Sequence, residues 1–90
     1  MPYRIILTRS AAKELDSLPS KINDKIVLLL RQLEVDPRQH GAEKLTARDS
    51  YKLRVGNHRL IYEINDAAKE VTVFMVEDRK QVYQRLRRKK

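Results

Sequence analysis

The dipeptide Gly56-Asn57, set between two arms of alternating apolar and polar residues, constrains the fold more than any other feature of this chain. Glycine reaches the positive φ that a two-residue hairpin turn requires, and a turn of that length fixes the pairing on either side of it. Val55 then lies opposite His58, Arg54 opposite Arg59, Leu53 opposite Leu60, Lys52 opposite Ile61 and Tyr51 opposite Tyr62. Because side chains alternate across a strand, Tyr51, Leu53, Val55, His58, Leu60 and Tyr62 share a face that suits a core. The other face sets two guanidiniums directly across from each other, with Lys52 diagonal to Arg59.

Like charges opposed in a sheet cost some tenths of a kcal/mol. Edge-strand charges that discourage aggregation are one explanation, but alternating signs would serve that end more cheaply. A ligand that supplies the missing anions is the better one, and a phosphate backbone is the simplest such ligand. The overall charge agrees: the net balance is +8, and it is uneven. Residues 1–50 carry nine basic and seven acidic side chains, residues 51–90 eleven basic and five acidic, so the excess gathers around the hairpin and the tail. This asymmetry points to nucleic acid or an acidic protein as partner.

The remaining elements read as follows. Residues 3–8 form a first strand. Residues 10–18 form a short helix with Thr8 or Ser10 as N-cap, and Pro19-Ser20 ends it and caps the next. From Lys21 to about Val35, Ile22, Ile26, Leu29, Leu30 and Leu33 make the stripe of an amphipathic helix, widened by Val27 and Leu28. Asp36-Pro37 stops it. A polar connector over residues 38–50 contains Gly41, with a brief strand or turn at Lys44-Leu45. After the hairpin, a turn at residues 65–70 leads into Val71-Thr72-Val73-Phe74-Met75-Val76, apolar on both faces as a strand covered on each side would be. A basic helix or tail occupies about residues 79–90. The order is β-α-α-β-β-β(-α): an α+β domain spanning residues 1–90, its helical hairpin packed on a mostly antiparallel four-stranded sheet. Ninety residues allow one modest core. There is no cysteine, which excludes disulfides and thiolate metal sites and suits a reducing cytoplasm. His40 and His58 are not spaced as a metal pair, so neither a metal nor any other cofactor is expected. No apolar run approaches a membrane span, and no membrane partner is expected.

The strings Tyr51-Lys52-Leu53-Arg54-Val55, Arg59-Leu60-Ile61-Tyr62 and Arg79-Lys80-Gln81-Val82-Tyr83 resemble the RelE-like toxins of type II toxin–antitoxin modules, and the likeness runs over essentially the whole chain. The resemblance implies a cytoplasmic ribonuclease that enters the ribosomal A site and cuts mRNA by attack of a ribose 2′-OH, leaving a 2′,3′-cyclic phosphate. It also implies an acidic antitoxin partner, with operator DNA bound only through the toxin–antitoxin complex. ParE-like relatives, which poison DNA gyrase, share the fold and much of the hairpin, so a non-nuclease toxin of that kind, or an inactive basic binding module, is the alternative expectation. Position by position, Lys52, Arg54, Arg59, Arg79 and Tyr83 match the family's catalytic set.

That chemistry needs a base, cations for the charge that develops at phosphorus, and a proton for the leaving 5′-oxygen. Arginine is always protonated, so Lys52, with cationic neighbours, is the candidate base. Arg54 and Arg59 would grip the scissile phosphate, Arg79 would serve the leaving oxygen, and Tyr83 would stack on a splayed base or orient the 2′-OH. Lys44, Arg85, Arg87 and Arg88 would add affinity for RNA. The nuclease reading expects these cations to converge on an open sheet surface with nothing negative to quench them. Glu77-Asp78 departs from the glycine with lysine or histidine frequent in the family at that place; two carboxylates there would lower the local positive potential, and a salt bridge to Arg59 or Arg79 is the alternative they open. His58 is expected to be structural, and Tyr51 and Tyr62 to be core.

Overall fold

In the computed structural model, which describes residues 2–45 and 49–78, the hairpin lies at the centre of the sheet with the pairing expected of it. Strand β3 (Ser50–Val55) pairs antiparallel with β4 (His58–Asn65) from Ser50 opposite Glu63 to Val55 opposite His58. Gly56 has φ +59° while Asn57 does not have positive φ, the pattern of a type II′ turn.

Around this pair the chain adds β1 (Arg4–Leu7), β2 (Glu43–Lys44) and β5 (Glu70–Asp78), giving a sheet in the order β1-β5-β4-β3-β2. β1 runs parallel to β5 and every other pairing is antiparallel. The sheet thus has five strands where four were expected. The fifth is the two-residue β2, whose Glu43 pairs with Lys52 and Lys44 with Tyr51. The brief strand or turn expected at Lys44-Leu45 is this strand, beginning one residue earlier, though it was not counted into the sheet.

Helices α1 (Arg9–Asp16) and α2 (Ser20–Val35) pack on one face of the sheet. Thr8 caps α1, its hydroxyl accepting from Ala11 N at 3.2 Å. Ser20 does not cap α2 as expected: it is the first helical residue, and Pro19 holds the N-cap place without a side-chain bond. Proline's fixed φ suits a helix entry where the amide has no partner to lose. Asp36, extended ahead of Pro37, ends α2. Ala11, Leu15, Ile26, Leu30 and Leu33 meet Tyr51, Leu53, Leu60, Tyr62, Ile64, Val71, Val73 and Val76 in one core. Each fully buried aliphatic contributes roughly 1.5–3 kcal/mol. Leu28 does not widen this stripe; it is 61% exposed.

Strand β5 was expected to be covered on both faces, yet Phe74 and Met75 are 39% and 43% exposed. The helices cover one face only, and the β4–β5 register shifts between Ile61 and Tyr62, so that Phe74 is the extra residue of a bulge. Val73 and Val76 both face the core as a result, Val73 opposite Tyr62 and Val76 opposite Leu60.

A polar clamp fastens the α2–β3 connector to the far end of the sheet. Arg38 donates to both carboxylate oxygens of Asp66, in the β4–β5 turn, at 3.1 and 2.9 Å, and its Nε donates to the Tyr51 hydroxyl at 3.0 Å. Tyr3 also donates to Asp66, at 2.6 Å. Beneath this clamp the Tyr51 and Tyr62 rings stack with centroids 5.9 Å apart, and the Tyr62 hydroxyl donates to the Pro37 carbonyl at 2.8 Å. Both tyrosines belong to the core, as expected, and so does His58 by its burial.

Candidate functional site

Alternation along β3 and β4 turns Lys52, Arg54, Arg59 and Ile61 to the sheet face that the helices leave open. Arg54 and Arg59 are directly opposed, and Lys52 is one pair further along, opposite Ile61. The same alternation puts Glu43 of β2 on this face beside Lys52, and Glu77 of β5 beside Arg59. The row therefore reads Glu43–Lys52 at one edge and Arg59–Glu77 at the other, with Arg54 between.

This corrects one expectation. The cations do gather on one open face, but two of the three have a carboxylate at hand: Lys52 Nζ lies 3.5 Å from Glu43 and Arg59 lies 3.7 Å from Glu77. The Glu77 pairing follows the alternative drawn from the Glu77-Asp78 substitution. The Glu43 pairing had no sequence signal, because β2 is too short to have a periodicity. Among the described residues Arg54 has no carboxylate within ion-pair distance, and the Arg59 Nε–H is covered without an acceptor. A buried donor left unbonded costs roughly 1–3 kcal/mol, so this guanidinium is incompletely satisfied by its present surroundings.

A cleft of about 320 Å³ opens on this face, lined by Gly41, Glu43, Lys52 and Arg54. Gly41 has φ +94° at its wall, where the connector bends into β2. Lys44 does not join the group; its pairing with Tyr51 places it on the opposite side of the sheet. Arg79, Tyr83, Arg85, Arg87 and Arg88 lie outside the described residues. Among the described residues no cluster of three or more His, Cys, Asp or Glu is placed to hold a metal ion, and no helix is long and apolar enough to cross a membrane.

The cation row thus lies on the face of a mostly antiparallel sheet that α1 and α2 leave open. The family profile that matches residues 5–83 is described as the ParE toxin of the type II toxin–antitoxin system parDE. The chain belongs to the RelE/ParE superfamily of toxins. Toxin RelG of Mycobacterium tuberculosis is 29% identical over 87 residues, covering 94% of this chain and all of that protein. The RelBE2 toxin–antitoxin complex of the same organism superposes with a TM-score of 0.77 at 27% identity, covering 88% of this chain and 93% of that one. The isolated E. coli RelE toxin, at 24% identity, shares the fold with a TM-score of 0.78 over 97% of both chains. The resemblance read from the hairpin strings and the fold class expected of it both hold. The superfamily toxin is thus built around the hairpin, with its basic row facing outward.

Proposed function

We propose that this toxin is an endoribonuclease that cuts mRNA in the ribosomal A site and so inhibits translation. The observation that carries this reading is the convergence of Lys52, Arg54 and Arg59 on the sheet face opposite α1 and α2. RelE and RelG relatives add support. The reaction is metal-independent. Lys52 takes the proton of a ribose 2′-OH, the 2′-oxygen bonds to the adjacent phosphorus, and the P–O5′ bond breaks. The products are a 2′,3′-cyclic phosphate and a 5′-hydroxyl that receives a proton from the site. Arg54 and Arg59 hold the phosphate oxygens as charge builds on them, where preorganised cations act most strongly. Arg79 serves the leaving oxygen and Tyr83 orients the nucleotide. The ion pairs to Glu43 and Glu77 are long and partly exposed, and such pairs contribute about 1 kcal/mol or less, so they open readily; Lys52 acts as the base only once it has left Glu43 and given its own proton to water.

With few groups able to act as base, positioning has to supply much of the acceleration, which favours a message held in place by the ribosome. The partner that silences the toxin is an acidic antitoxin whose carboxylates meet the basic face and whose amphipathic segment covers apolar surface. Operator DNA is reached only through that complex, and the site of action is the cytoplasm.

A second reading is favoured by the matching family's description: a non-nuclease toxin of the ParE kind acting on DNA gyrase. Inducible expression followed by primer extension on mRNA separates the two. Codon-phased cuts that vanish in Arg59→Ala support the nuclease. DNA breaks with an SOS response and uncut message, or cleavage unchanged in Arg59→Ala, overturn it.

A further inference from the structure

We propose that Glu43 is a displaceable counter-ion: its carboxylate holds Lys52 in the free protein and gives way to a phosphodiester when RNA binds in the Gly41–Arg54 cleft. The proposal deepens the nuclease reading and rests on it for the nature of the anion. A carboxylate and a phosphodiester each carry one negative charge and present two acceptor oxygens. Either can therefore satisfy the Lys52 ammonium, but not both without repulsion between them. Glu43 is built to leave. It sits on a two-residue strand at the sheet edge, its side chain is 70% exposed, and its oxygen is 3.5 Å from Nζ. Glu77 is different. It lies within the nine-residue β5, paired on the ladder to Arg59, and its side chain is only 17% exposed. The outer strand thus carries a loose carboxylate and the inner one a fixed carboxylate.

Cleft and counter-ion coincide. Gly41, Glu43, Lys52 and Arg54 line the same opening, so an anion entering toward Arg54, which has no carboxylate of its own among the described residues, meets Glu43 directly. Displacing it returns Lys52 to the ligand while the freed carboxylate, at the exposed edge, rehydrates.

The test is binding, separate from cleavage. An all-2′-O-methyl RNA oligonucleotide, which has no free 2′-OH and cannot be cut, is titrated at several salt concentrations against the wild type, Glu43→Gln and Asp24→Asn. Asp24 is an exposed carboxylate on α2, and its substitution makes the same change in net charge. Glu43→Gln is expected to tighten binding five- to tenfold at low salt, because no carboxylate then has to leave Lys52, with a salt dependence close to that of the wild type because the same cations meet phosphate in both complexes. Asp24→Asn is expected to change it less than twofold, and the gain from Glu43→Gln should vanish in a Lys52→Ala background. Equal effects of Glu43→Gln and Asp24→Asn, a gain that persists without Lys52, or no binding by any variant would each overturn the proposal. Uncut message in cells alongside the expected binding pattern would refute the nuclease and leave the counter-ion standing.

Discussion

Arg54 and Arg59 oppose each other across the β3–β4 ladder, yet their surroundings differ: Arg59 has Glu77 at 3.7 Å, and Arg54 has no such partner among the described residues. The two arginines therefore separate function from stability. Arg54→Ala removes a like-charge contact and is expected to leave the unfolding free energy unchanged or raised by some tenths of a kcal/mol. Arg59→Ala strands a half-buried carboxylate and is expected to cost up to about 1 kcal/mol. Both should reduce mRNA cleavage by roughly 10²-fold or more, the scale of losing one preorganised charge at the reacting centre. Equilibrium unfolding and primer extension on the same variants check the pair of outcomes.

The Gly56 turn offers a test of backbone strain without crowding. A Cβ at this position meets nothing within 4 Å, while φ is +59°. Gly56→Ala is therefore expected to lose about 1–2 kcal/mol from the left-handed conformation alone. Gly56→Asn should lose less, since asparagine tolerates that region. Chemical denaturation of the two variants reads the difference; equal losses would mean the turn changes type.

What was legible in the sequence is what a short local pattern can fix. The hairpin register follows from a two-residue turn and a period of two, so every pair from Tyr51–Tyr62 to Val55–His58 falls in its expected place. The stripe of Ile22, Ile26, Leu30 and Leu33 likewise places α2 on the core. What was hidden depends on partners far along the chain. Glu43 looks like any connector residue until β2 is laid against β3. The bulge at Phe74 exists only relative to β4, and the Arg38–Asp66 contact spans 28 residues. The basic row was thus readable, whereas the acidic residues that meet it were not placed by any local pattern: simple alternation from Val71 and Val73 would turn Glu77 to the core, and the bulge at Phe74 brings it beside Arg59 instead.

Tyr62 joins core and connector through a single hydroxyl. Its ring is fully buried and its O–H donates to Pro37 at 2.8 Å. Tyr62→Phe leaves that buried carbonyl without its donor and is expected to cost roughly 1–3 kcal/mol. Burial, reinforced by Tyr51 and Asp36, pushes the phenol up to about 12. The unfolded chain ionises near 10, so this contribution is present below about pH 10 and is lost as pH rises toward 12. The stability gap between wild type and Tyr62→Phe should narrow across that window in alkaline denaturation.

Asp66 gives the acid counterpart. The hydrogen bonds from Arg38, and then from Tyr3, hold its carboxyl down at about 2. A depressed carboxylate contributes stability that is fully present above the unfolded value, about 3.9, and is lost as pH falls through the folded one. Below both values the two states bind the same proton and the contribution is gone. Asp66→Asn cannot ionise, so its urea midpoint should lie below that of the wild type at pH 5 and converge on it between about pH 4 and pH 2. Every other carboxylate titrates in both proteins and cancels in the difference. Arg38→Ala removes the first cause of the depression and should flatten the same window, whereas Lys69→Ala, which removes only a weaker coulombic influence, should leave most of it in place. A gap between wild type and Asp66→Asn that stays constant from pH 5 to pH 2 would show that the clamp holds the connector by shape rather than by charge.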